Sequence, residues 1–260
     1  MQRDGALTSL WQHNMPDYLS QTRQINKELF DVVIVGGGIT GITTALLLQK
    51  AGKKCLLAEA HTIGFGTSGG TTAHLNTMMD NPYNVLEKNF GEDNAQLVAG
   101  ITRQAIDLVI KNIAAFNIDC EFSEKRGYLF SQDDKQTKEL DDIFEASKKA
   151  GCDIEHSNEI PVPVDFKKAI VFKREAQLHP AKYFYALAKA FEDAGGVLLQ
   201  GCRITGVKEN DLLEIESTIG KISARQMIYA THIPPGVNLL HFRCAPYRSY
   251  AMAIKLKDKN

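Results

Sequence analysis

The sequence predicts an α/β fold built on a parallel sheet. Three observations carry that prediction. Residues 30–35, FDVVIV, form an apolar run with no polar alternation, as a strand buried on both faces requires. Three consecutive glycines follow, and then a helical segment over 39–51. A second apolar run, residues 54–58, comes next. Strand, helix and strand in that order make the opening of a parallel sheet.

The elements follow in chain order. Residues 1–29 are polar with scattered apolar positions, and read equally as an arm packed onto the body through Leu10 and Trp11 or as a partly ordered tail. Gly52 is placed to cap the first helix. Residues 61–82 are rich in Gly, Thr, Ser and Asn and read as a long loop, of a length at which loops are functional or disordered. Leu97, Val98, Ile101, Ala105, Leu108, Val109 and Ile113 recur at helical spacing within a helix expected over 92–117. Residues 126–131 read as a short strand, and 133–150 as a charged amphipathic helix closed by Gly151. Residues 179–194 read as a helix entered through Pro180 and ended by Gly195 and Gly196. Residues 197–204, 212–216 and 220–222 suggest a small antiparallel excursion. Residues 226–230 and 250–256 read as further strands.

Composition narrows the function classes. Thirty basic and 31 acidic residues nearly cancel, so no polyanion-binding field is implied and nucleic acid is not an expected partner. No apolar stretch reaches the length of a membrane span. The 5 cysteines are widely spaced and form no C-x-x-C pair, so no bound metal is expected. Buried reduced thiols are the expected state. They fit the cytoplasm, as does an N-terminus without the basic-then-apolar order of a secretion signal.

The chemistry-bearing motif is Gly36, Gly38 and Gly41, a G-x-G-x-x-G between strand and helix. The first glycine allows the tight turn, the second lets a pyrophosphate approach the backbone, and the third lets the helix pack on the strand. The helix N-terminus presents free N–H groups to the phosphates. Glu59, 18 residues past Gly41, ends the second strand, where a carboxylate can accept from both ribose hydroxyls of an adenosine. An acid there disfavours a 2′-phosphate, so NADP fits worst. The motif alone leaves FAD and NAD open.

Residues 31–76, ending in IGFGTSGGTTAHLN, together resemble the D-amino-acid-oxidase-like family of FAD-dependent oxidoreductases, the glycine and sarcosine oxidase group. The likeness continues more loosely through QLHPAKYFYALAKAFEDAGGVLLQGCRITGV and ARQMIYATHIP. The tryptophan arm, GTSGGTTAHLN and IDCEF look like the subgroup with a C-terminal Rieske iron–sulfur domain, although these 260 residues hold no C-x-H and C-x-x-H pair. The resemblance implies an FAD/NAD(P)-binding Rossmann-like domain with a parallel sheet and a small β-meander, interleaved with a partial α+β substrate domain. The expected bounds are an arm over 1–29, a first FAD-binding segment over 30–118 and a first substrate-domain segment over 119–176. A second FAD-binding segment is expected over 177–235, and a return to the substrate domain over 236–260.

By the same resemblance, Gly66, Thr67, Ser68, Gly69, Gly70 and Thr71 lie near the pyrophosphate and flavin. Ile204 contacts adenine through its backbone, and Ala230 and Thr231 open the turn that closes the domain on the cofactor. Ile39 and Ala60 complete the cofactor-binding set beside Gly38 and Glu59. His232 stands where the family has glycine. The family's closing glycine-rich segment has no counterpart here. The chain is therefore expected to be a piece of a longer oxidoreductase, with the adenosine half-site complete, the flavin half-site incomplete and FAD held weakly or not at all.

The expected cofactor is FAD and the expected activity is oxidation of a C–N bond of a small amine or amino acid by hydride transfer to flavin. The electron acceptor would be O2 or a Rieske centre absent from this chain. An NAD-linked dehydrogenase and a non-catalytic nucleotide-binding module remain alternatives. No catalytic residue is assigned. Arg243 and Arg248, near Tyr247 and Tyr250, could clamp a substrate carboxylate, and His74 could face the flavin ring, although structural roles are the commoner ones. Gln177 and His179 precede a helix and read as capping residues.

Overall fold

A computed structural model describes residues 8–13, 15–22, 24–25 and 28–233. The expectations for Arg243, Tyr247, Arg248, Tyr250 and the strand at 250–256 lie outside the described residues.

In chain order the elements are α1 (Leu10–His13), β1 (Leu29–Val35), α2 (Ile39–Lys50), β2 (Cys55–Ala58), β3 (His74–Leu75), α3 (Tyr83–Phe90) and α4 (Glu92–Phe116). They continue as β4 (Ser123–Ser131), α5 (Asp134–Lys149), β5 (Ile154–Ser157), β6 (Lys168–Gln177), α6 (Pro180–Asp193), β7 (Val197–Leu199), β8 (Ile204–Glu209), β9 (Leu213–Ser217) and β10 (Gly220–Tyr229).

Among the described residues the strands make two sheets. The first has the order β7-β2-β1-β10-β9-β8. Its β7, β2, β1 and β10 run parallel, while β10, β9 and β8 form an antiparallel meander. The parallel sheet and meander match the sequence-based expectation, with two differences. Residues 197–199 join the parallel sheet beside β2 rather than the meander. Residues 220–222 and 226–230 fall on one ten-residue strand, β10, which ends at Tyr229; its first half pairs with β9 while most of its length pairs with β1.

Both faces of the parallel sheet are covered, which is why β1 and β2 read as unbroken apolar runs. On one face Val32, Ile34 and Leu57 pack with Ile42 and Leu46 of α2 and with Phe184, Leu187 and Phe191 of α6. On the other, Phe30, Val33, Val35 and Leu56 pack with Ile215, Ile222 and Ala224 of the meander. Fully burying such a side chain stabilises by about 1.5–3 kcal/mol, so these two clusters hold the strand ends that carry the site.

The second sheet joins β3, β4 and β5 to β6, all antiparallel. Its central strand β6 is absent from the sequence-based expectation. Ala169, Ile170, Val171 and Phe172 are buried in it, but the KRE that follows reads as surface. The helix α3 is likewise unforeseen. The expected helices α2, α4, α5 and α6 form within a residue or two of their expected ends. Asp133 caps α5 by accepting from the Gln136 N–H at 2.8 Å.

Candidate functional site

The site begins where β1 ends. Gly36 has φ +114, a conformation open to glycine, and a Cβ there would lie 2.5 Å from the Ala230 carbonyl oxygen. A Cβ on Gly41 would lie 1.9 Å from the Gly36 oxygen and 3.4 Å from the Ala230 Cβ. These two glycines therefore serve the close packing of β1, α2 and the end of β10. Gly38 differs. Its ideal Cβ meets only the Ser68 side chain, at 3.0 Å from Oγ, so the space in front of it is bounded by one small hydroxyl.

Glu59 follows β2 and turns back onto the bend. Its Oε2 accepts from the Gly37 N–H at 2.6 Å, and its Oε1 from the His61 N–H at 2.7 Å. A Cβ on Gly37 would lie 2.7 Å from Ile63 Cδ1 and 2.9 Å from the Glu59 Cβ. Gly37 is the unspecified position of the motif, to which the sequence pattern assigns nothing. Its signal is the third glycine of an unbroken run. The Glu59 backbone is held from the other side too: its N–H donates to the Leu199 carbonyl and its own carbonyl accepts from the Cys202 N–H, each at 2.8 Å.

Residues 61–70 are a succession of turns wrapped over the bend. Gly64 N–H donates to the Gly37 oxygen at 2.9 Å, and the Ser68 Oγ accepts from the Ile39 N–H, in the first turn of α2, at 2.9 Å. Gly66 and Gly70 face open space, with nothing within 4 Å of an added Cβ. Thr67 lies between them and Gly69 packs inward on the Gly64 oxygen. Thr71 accepts on its Oγ1 from the Ala73 N–H at 3.2 Å.

The structure thus brings Gly36, Gly38, Ile39, Gly41, Glu59, Ser68 and Ala230 to one bend. Ala60 sits between Glu59 and His61 and is half-buried. Ile204 opens β8 two residues after Cys202, which is bonded to Glu59. Thr231 Oγ1 donates to the Ile233 oxygen at 2.9 Å within the turn after β10. His232 in that turn has φ +66, the backbone region that favours the glycine found there in the resembling family. Beside Glu59, Arg203 Nη2 donates to His61 Nε2 at 3.0 Å, and His61 stacks on Phe65 with centroids 4.1 Å apart.

The other candidates fall as follows. His74 is exposed and pairs across the sheet with Gln177, which in turn pairs with Ser123. Gln177 therefore belongs to β6 rather than to a helix cap. His179 is the N-cap of α6: its Nδ1 accepts from the Lys182 N–H at 3.4 Å. Nearby, Glu175 is buried and its carboxylate accepts from the Thr77 N–H at 2.7 Å and from the Thr77 hydroxyl. Burial raises its carboxyl above the ordinary value, against the bonds from Thr77 and the charge of Arg103. No sequence signal marks Glu175.

The arrangement can hold a nucleotide. The acid is fixed at the bend, the approach to Gly38 is bounded only by the Ser68 side chain, and open glycines line the loop. The comparisons point the same way. The profile of the family described as "DAO: FAD dependent oxidoreductase" matches residues 31–260. The chain is 33% identical over 230 residues to the "Putative Rieske 2Fe-2S iron-sulfur protein YhfW" of Bacillus subtilis, covering 87% of this chain and 45% of that protein. It is 26% identical over 206 residues to the "Gamma-glutamylputrescine oxidoreductase" of Escherichia coli, covering 77% and 48%. The solved glycine oxidase of Geobacillus kaustophilus superposes with a TM-score of 0.66 at 18% identity, covering 78% of this chain and 55% of that one. The chain spans about half the length of the curated relatives it matches.

Proposed function

Because the chain belongs to the family of FAD-dependent oxidoreductases described as DAO, we propose that its glycine bend, Glu59 and the loop at 64–71 hold FAD for the oxidation of a C–N bond in a small amine or amino acid. The observation that carries this reading is the Glu59 carboxylate hydrogen-bonded to the bend itself, at the residue next to Gly38, which faces only the Ser68 side chain.

In this reading Glu59 accepts hydrogen bonds from the adenosine ribose, and Ile204 and Ala60 line the adenine side. The pyrophosphate lies against Gly38 and the first turn of α2, where N–H groups without a helix carbonyl partner favour an anion. Ser68 Oγ now accepts from the Ile39 N–H. On binding, that N–H is available to a phosphate oxygen and the hydroxyl can donate to the same group. Gly66, Thr67, Gly69, Gly70 and Thr71 carry backbone toward the flavin end, and Ala230 and Thr231 close the far side. Gly36 and Gly41 act through packing rather than contact. FAD bound there supplies a hydride acceptor for the substrate carbon.

The substrate class is supported by the family and by the names of relatives, an oxidoreductase of γ-glutamylputrescine and a glycine oxidase. O2 and a Rieske centre outside these residues both suit as onward acceptors, the second supported by the name of the B. subtilis relative. The alternative of an NAD-linked dehydrogenase gives way to the family assignment.

The test is spectroscopic. Concentrated apoprotein titrated with FAD should develop the shifted absorption bands of a weakly bound flavin, in keeping with the affinity expected from the sequence. Anaerobic addition of amines and amino acids should then bleach those bands for at least one member of the panel. Bleaching by hydroxy acids alone would overturn the substrate class. Hydrogen peroxide formed on readmitting air would favour O2 as acceptor.

A further inference from the structure

The loop that faces the cofactor is held from behind by a segment with no assigned role. Trp11 Nε1 donates to the Thr71 carbonyl at 2.8 Å, and Gln12 Nε2 reaches the Gly64 carbonyl at 3.4 Å. The Gln12 amide is itself oriented, since its Oε1 accepts from the Ser9 N–H at 3.2 Å. A Cβ on Gly69 would lie 2.5 Å from Gln12 Nε2, so the loop gives up a side chain where the arm crosses it. A third tie runs through Gln200, whose Oε1 accepts from the Ile63 N–H at 2.9 Å while its Nε2 donates to the Tyr18 carbonyl at 2.7 Å.

The arm is anchored at its other end. Buried Glu192 of α6 accepts from the Tyr18 hydroxyl at 2.5 Å and from the Gln21 N–H at 2.8 Å. The Trp11 ring also meets His179, the α6 cap, edge-on, with ring centroids 5.3 Å apart. The loop therefore has a held side, at Ile63, Gly64, Gly69 and Thr71, and an open side, at Gly66 and Gly70.

We propose that the N-terminal arm is a strap that holds the cofactor loop in its binding shape, with Trp11 and Gln12 as positioning residues for FAD. This rests on the site reading above. A loop of small residues is flexible when free, and a strap lowers the ordering cost of binding. Neither residue needs to touch the cofactor.

The experiment compares the wild-type chain with Trp11→Phe, which keeps ring packing and loses the donor, and with Gln12→Glu, which keeps the acceptor from Ser9 and loses the donor to Gly64. Amide hydrogen exchange over residues 63–71 of each apoprotein is read first. Affinities for FAD and for adenosine, which has no phosphate to reach Ser68 and the loop, are read second. Each variant should speed loop exchange and weaken FAD by about tenfold, leaving adenosine affinity and the apoprotein unfolding midpoint unchanged. Unchanged loop exchange overturns the strap, as does FAD weakening matched by adenosine. A wild-type chain that takes up neither ligand overturns the site reading instead, and the exchange result alone then decides the strap.

Discussion

The backbone N–H of Gly37 donates to Glu59 Oε2 at 2.6 Å, and the same glycine lies so close to the acid that a Cβ would sit 2.9 Å from the Glu59 Cβ. This relationship explains the unbroken run of three glycines. Gly36 and Gly41 make the turn, Gly38 leaves the approach open, and Gly37 lets the acid reach the turn. Gly37→Ala should force Glu59 and Ile63 apart. The expected loss is about 1–3 kcal/mol of stability, read by urea denaturation, together with weaker FAD binding.

Gly38 and Gly41 should separate under the same substitution. Gly38 has φ −80 and only a serine hydroxyl nearby. Gly38→Ala should therefore unfold at nearly the wild-type urea midpoint while FAD affinity falls by roughly tenfold. Gly41→Ala drives a methyl group into the Gly36 carbonyl and should cost roughly 3 kcal/mol. Equal loss of stability in both variants would remove the distinction between the two glycines.

Glu59→Gln tests the acid. Each Glu59 oxygen accepts one backbone N–H, from Gly37 and from His61. An amide offers one oxygen, so its NH2 group must face a donor. A lost hydrogen bond to a charged acceptor is worth about 1.5–3 kcal/mol, so FAD affinity should fall roughly tenfold to a hundredfold. Calorimetric titration reads it, and wild-type affinity in the variant would disprove the role.

Glu175 predicts a pH dependence. Its native carboxyl is raised above 4.5 by burial. Between the unfolded and the raised native value the native state binds more protons, so its contribution to stability falls as pH rises through that window. Glu175→Gln removes this contribution and leaves only the slope set by the other groups. Urea midpoints of the two proteins, compared from the ordinary carboxyl range up to neutrality, should therefore shift in favour of the variant as pH climbs. Parallel curves would show that Glu175 is not the group responsible.

Thiol chemistry gives a separate check. Cys55, Cys120 and Cys202 are buried and free, and burial pushes the Cys55 thiol up to about 11. Thiolate is the reactive form, so native-state alkylation in mildly alkaline buffer, mapped by mass spectrometry, should spare these three until denaturant is added.

The dinucleotide half is legible in the sequence because its signals are local. An apolar run, a glycine turn and a lone acid each need only their neighbours to be read, and β1, α2, β2 and Glu59 lie where the pattern placed them. What stayed hidden depends on distant partners. In β6, the charged KRE segment reads as surface until Thr77 is seen to bond Glu175. Gln177 reads as a cap until it pairs with His74 and Ser123. The fusion of residues 220–222 with those from 226 onward comes from β1 supplying one neighbour along most of β10. The arm's hold on the loop spans 60 residues between Trp11 and Thr71, a separation no local pattern reports.

The central claim is that the bend and the acid seat the ADP portion of FAD. A crystal structure of the chain grown with ADP tests it most directly. The account predicts ribose hydroxyls on the Glu59 carboxylate and the diphosphate in front of Gly38, at the first turn of α2. ADP bound with its ribose away from Glu59, or a bend that stays empty at saturating ADP, would contradict it.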